Sequence, residues 1–111
     1  MSQATGHERI DRRSLAMHRA IAEKLRRQPE LMEIARDNLA RWSRTNTASQ
    51  WYWDRWRELL QRPMEELLRV LLEESERMTA LRQTSPFAGV LTPQERWAIY
   101  AEFASDLPGK V

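Results

Sequence analysis

Two histidines, His7 and His18, and an acidic run, Glu73, Glu74 and Glu76, are the side chains best suited to acid/base or metal chemistry in this chain. Their setting does not complete a site. His18 falls in the middle of an apolar helical face with Leu15, Ile21, Ala22 and Leu25, without the H-E-x-x-H spacing or second nearby His that a zinc pair needs. Asn38 holds the same kind of position one helix later, so both are expected to be hydrogen-bonded polar core residues, and a His18–Asn38 pair is one way to satisfy them. The acidic run could present paired carboxylates or hold a divalent cation. It comes with no complementary nucleophile and no phosphate-gripping Gly-rich loop, and a solvated helix face is the expectation. The chain has no Cys, which excludes disulfides, thiolate nucleophiles and Cys-containing zinc or iron–sulfur centres. No catalytic residue, metal ligand or cofactor is assigned, and the reading is of a binding protein, not an enzyme.

Arginine and tryptophan are the side chains that can do binding chemistry here. Of 18 basic residues only Lys24 and Lys110 are lysine, and guanidinium is the better group for forked pairing with carboxylates or phosphates. Arg12, Arg19 and Arg26 repeat every seven residues and form one stripe on the first helix, joined at the margin by Arg13 and Arg27 and interrupted by Glu23, which can face an acidic protein surface or track phosphates. Trp51, Tyr52, Trp53 and Trp56 crowd the middle of the chain. Stepping along the helix puts Tyr52, Trp53, Trp56, Leu59 and Leu60 within an arc of about 120°, as for a core face, and leaves Trp51 about 80° outside it. Trp51 with Arg55 is therefore the candidate partner-binding anchor, since Trp and Arg are enriched at binding hot spots. Phe87 stands in a loop between Pro86 and Gly89, where the ring either plugs its own bundle or inserts into a partner, and it joins Trp51, Arg55, Arg12, Arg19 and Arg26 as a candidate contact.

The elements that must position these residues are helices. The chain is 111 residues long, 41% apolar and 31% charged, with 3 Gly and 5 Pro, a composition that suits one soluble domain. No segment keeps the period-two alternation of a half-buried strand, and the hydrophobic spacing is helical nearly throughout. The expected fold is all-α: a single compact bundle of five or six helices over residues 9–107, with polar tails at 1–8 and 108–111. The first helix runs from Asp11 or Ser14 to Arg27. Pro29 starts the second, Ser43 to Ala48 is a polar loop, and Ser49 caps a third from Gln50 to Gln61. Pro63 starts a fourth, whose Met64, Leu67, Leu68, Val70, Leu71 and Leu72 cover more than half its circumference and place it in mid-bundle. Ser75 interrupts it before a short helix through Leu81, and Thr84 to Leu91 is a second loop. Thr92, Pro93, Gln94 and Glu95 then form a capping box that starts the last helix.

Along the segment SPFAGVLTPQERW (Ser85 to Trp97), with the Trp-rich middle, the Arg-rich first helix and His18, the chain resembles small bacterial helical proteins of two-gene, antitoxin-like modules. The resemblance covers Arg13 to Phe103 and implies a cytosolic partner protein; it carries no catalytic or binding motif onto residues here. The net charge of +2 is small, although residues 1–27 carry +4 and residues 63–111 carry −3. The first eight residues lack the apolar stretch of a secretory signal and no run approaches a membrane span, so the expected location is the cytoplasm with no membrane partner. Three roles follow. The first is a protein-binding module that masks a partner sterically. The second is a DNA-binding regulator, for which the loop between the second and third helices is long and the third presents Trp and Leu where base-reading side chains should project. The third is a structural homo-oligomer.

Overall fold

The computed structural model describes residues 6–104, and every regular element among them is helical. Six α-helices follow in order: α1 (Gly6–Arg27), α2 (Met32–Thr45), α3 (Gln50–Leu60), α4 (Met64–Leu71), α5 (Glu76–Arg82) and α6 (Pro93–Ala104). Single 3-10 turns at Pro29–Leu31 and Thr47–Ser49 lead into α2 and α3. No helix among the described residues is long and apolar enough to cross a membrane.

The spine is α1, which packs on α4, α5 and α6, while α2 and α3 pair with each other. Its buried side is the stripe Leu15, His18, Ile21, Ala22 and Leu25, the i, i+3, i+4, i+7 spacing of a core-facing helix. α4 is the central short helix, with Leu67, Leu68 and Leu71 fully buried. Trp53, Trp56, Leu59 and Leu60 of α3 and Met32, Ala35 and Leu39 of α2 complete the same core.

Local chemistry sets the boundaries. The capping box is complete: the Thr92 N–H donates to Glu95 Oε1 at 2.7 Å and the Glu95 N–H to Thr92 Oγ1 at 3.1 Å. Glu95 also takes Lys24 Nζ at 2.8 Å, so one carboxylate caps α6 and fastens it to α1. Ser75 caps α5 by accepting from the Met78 N–H. Other boundaries differ from the sequence expectation. α1 is helical from Gly6, inside the expected tail of residues 1–8, with Glu8 in its first turn where a carboxylate favours the helix dipole; residues 1–5 and the expected tail at 108–111 lie outside the described residues. The polar stretch from Ser43 stays helical to Thr45, and the Ser43 and Thr45 hydroxyls are accommodated by donating to carbonyls of Ala40, Arg41 and Trp42 one turn back. Ser49 stands at the N-cap of α3 but makes no side-chain cap bond, the 3-10 turn supplying the lead-in.

Candidate functional site

The loop from Gln83 to Thr92 is held inside the bundle by polar side chains from three helices, α1, α2 and α3. His18 Nδ1 lies 2.7 Å from the Ser14 carbonyl and Nε2 lies 2.8 Å from Ser85 Oγ. A carbonyl oxygen only accepts, so Nδ1 carries the proton and Nε2 accepts from the Ser85 hydroxyl. Ser85 Oγ in turn accepts from the Phe87 N–H. Asn38 Nδ2 donates to the carbonyls of Pro86 and Ala88, both at 2.9 Å, and Trp56 Nε1 donates to Thr84 Oγ1. Arg82, 5% exposed, donates from Nη1 to the carbonyls of Leu71 and Glu73, satisfying the C-terminal end of α4 with a cation. The loop turns at Gly89, the one described residue with φ in the left-handed region, where a side chain is disfavoured.

These latches place Phe87 at 1% exposure, edge-on to Trp56 at 5.9 Å and to His18 at 6.4 Å. Of the two roles open to it, Phe87 takes the interior plug, and as a candidate partner contact it is corrected: the buried ring offers no surface. His18 and Asn38 do not bond each other; each instead holds the same loop from a different helix.

His18 with Ser85 has the spacing of a base and a nucleophile. Burial, with the Arg82 charge adding to it against the Ser14 carbonyl, lowers the imidazole pKa from 6.5 to about 4. A base that weak is poorly matched to proton abstraction near neutral pH, and its orienting group is a backbone carbonyl instead of a carboxylate. The pair is a structural latch. Among the described residues no group of three His, Asp or Glu is arranged to hold a metal ion.

Between α1, the loop and α6 lies a cavity of about 220 Å³, walled by Arg13, His18, Ser85, Arg96 and Tyr100 over an apolar floor that includes Ile21, Phe87 and Leu91. Ile10, Arg13 and Tyr100 also border a second, wider depression of about 490 Å³ lined by Arg9, Trp97, Phe103 and Ala104, so the two adjoin as a groove along the α1–α6 seam. The Arg13 guanidinium lies 4.9 Å from the centre of the Tyr100 ring, and Trp97 meets Tyr100 edge-on at 5.7 Å. Trp97 is 69% exposed and Ile10 44%. No α6 residue is fully buried.

The remaining sequence candidates are spread over two other faces. Trp51 is 58% exposed, resting edge-on against Tyr52, and lies off the core arc as the helical spacing predicts. Arg55 is half-buried and bonds Glu58 Oε2 at 2.8 Å; Glu58 also pairs with Arg62, and the two guanidiniums hold its carboxyl below the usual range. Arg12, Arg19 and Arg26 are exposed, with Arg26 reaching Glu65 at 3.4 Å. That stripe stands about 120° around α1 from Arg13, so the structure does not bring it onto the α1–α6 groove.

Trp97, Ile10, Tyr100 and Phe103 are the binding-type residues that sequence reasoning missed. Their signal is present: Trp97 and Ile99, two residues apart, point about 160° apart on a helix and cannot share one core face. Ile99 packs against the core and Trp97 is left outside. Comparisons with protein-family models, with curated proteins and with solved structures gave no match.

Proposed function

We infer that this chain is a protein-binding module that masks its partner sterically, in the manner of an antitoxin. The observation that carries the reading is the exposed aromatic face of α6: Trp97 at the surface with Tyr100 and Phe103 behind it, edged by Arg9 and Arg13 of α1. An aromatic patch rimmed by guanidinium groups is the composition of an interface centre, and it suits an acidic segment with an apolar side. Charge sets the encounter rate and ring burial the residence time. Trp51 is a second contact, while the Arg12, Arg19 and Arg26 stripe supports long-range attraction of the same acidic partner.

The exposed side of α3 argues against the DNA-reading alternative. It carries Asp54 and Glu58, which pair with Arg57, Arg55 and Arg62, so the arginines of this helix are already engaged and carboxylates would meet the phosphates. Affinity capture at low salt, with mass spectrometry and an absorbance ratio for nucleic acid, tests the reading. A stoichiometric protein lost on Trp97→Ala in a folded variant is expected. Nucleic acid in the eluate, or a homo-oligomer with no other protein, would overturn it.

A further inference from the structure

We propose that the cavity between α1, the 83–92 loop and α6 binds a small organic acid, with its carboxylate held by Arg13 and Arg96 and its apolar body on Phe87, Ile21 and Leu91. The proposal stands apart from the protein-binding reading, because it concerns the end of the seam beside the 83–92 loop and a ligand of different size.

The lining has one sign of charge. Three guanidinium groups, Arg13, Arg82 and Arg96, border the cavity and no carboxylate does. They are not equivalent. Arg82 is occupied with the α4 carbonyls and feels the charges of Asp11, Glu74 and Glu73. It contributes background potential while Arg13 and Arg96 supply the grip. The Arg13 Cζ stands over the Tyr100 ring at 4.9 Å, a cation–π contact that holds the guanidinium at the cavity wall and lowers the cost of ordering it on a ligand. His18 is neutral and spends both ring nitrogens on Ser14 and Ser85, so it walls the cavity without competing for the ligand's negative charge.

The rest of the wall is apolar, which fixes the other half of the ligand. A dianion such as a phosphate monoester loses more hydration here than a carboxylate, and a fully polar acid leaves the floor unused. At about 220 Å³ the cavity lies just below the ordinary range of ligand pockets, which limits the ligand to a small molecule.

Phenylacetate is a probe of that size, and phenylacetamide is its neutral counterpart of the same shape. At ordinary ligand efficiency such a probe binds in about the millimolar range, which amide chemical-shift titration by NMR reads directly. Saturable shifts centred on Ser85, Ala88, Gly89 and Tyr100 are expected for phenylacetate, with phenylacetamide weaker by about tenfold or more, as for loss of a charge-assisted hydrogen bond. Arg13→Gln with Arg96→Gln should remove the preference for the acid over the amide. Equal binding of the two probes to the unaltered protein, shifts centred elsewhere, or no saturable shift with phenylacetate would each overturn the proposal. The comparison in the unaltered protein holds even if the double variant folds poorly.

Discussion

Acidification should weaken this fold through His18 before most carboxylates are protonated. The buried imidazole has its pKa lowered from 6.5 to about 4, first by burial, with the Arg82 charge adding to it against the Ser14 carbonyl. Between those pH values the unfolded chain takes up a proton that the folded chain refuses, so stability falls as pH drops from 6.5 toward 4. At about 1.4 kcal/mol per pKa unit the full loss is about 3 kcal/mol, a large fraction of a small domain's stability. This dependence is half its full slope at pH 6.5 and fades about one pH unit above that value. Glu58 and Glu95 act in a lower window. Their carboxyls are held below the usual 4.5, Glu58 mainly by Arg62 and Arg55 and Glu95 mainly by Lys24, so their contribution is lost only as pH falls below that value. Urea unfolding of the native chain and of His18→Gln, followed by circular dichroism at several pH values from about 5 to 7, isolates the His18 contribution by difference. The native chain should lose about 1.4 kcal/mol more per pH unit than the variant in the lower half of that range. Equal slopes, or an NMR titration of His18 with a midpoint near 6.5, would show that the ring is not the buried latch described above.

Other substitutions separate the core from the surface. Thr92→Ala removes half of the α6 capping box and should lower stability by about 1 kcal/mol, read as a drop in thermal midpoint. Trp56→Ala empties a fully buried site and should cost about 3 to 5 kcal/mol, whereas Trp51→Ala, on an exposed ring, should cost about 1 kcal/mol or less in the same denaturation assay. Asn38→Ala leaves the Pro86 and Ala88 carbonyls without their donor and should cost about 2 to 3 kcal/mol, with faster amide exchange in the loop as its signature.

Periodicity made the bundle legible, because each of α1 to α5 has one face that must be dry. The spacing places Leu15, His18, Ile21 and Leu25 together, sets Trp51 apart from Trp53 and Trp56, and marks the α6 start through Thr92 and Glu95; the structure agrees at each. What periodicity does not encode is where a loop goes. Phe87 is buried because His18, Asn38 and Trp56, each polar on one edge, aim their donors and acceptors at the loop backbone and its hydroxyls. Those partners are between 28 and 67 residues away in sequence, beyond the reach of any local pattern. The surface of α6 was missed for another reason. Its apolar residues are spread around the helix, and sorting them into dry and wet sides required knowing that the helix packs mainly on α1. The Arg stripe shows the converse: its alignment on α1 was readable, but not its separation from the cavity formed by Arg13, Arg96 and the loop.

The central claim is that the α6 face binds a protein partner, and the dissociation constant of the captured complex, measured by titration calorimetry for the native chain and for Trp97→Ala, tests it most directly. A ring exposed in the free protein should be dispensable for folding and central to the complex, so the variant should keep its thermal midpoint and lose about 2 kcal/mol or more of binding free energy, roughly thirtyfold in affinity. An unchanged dissociation constant in a folded Trp97→Ala variant would contradict the claim.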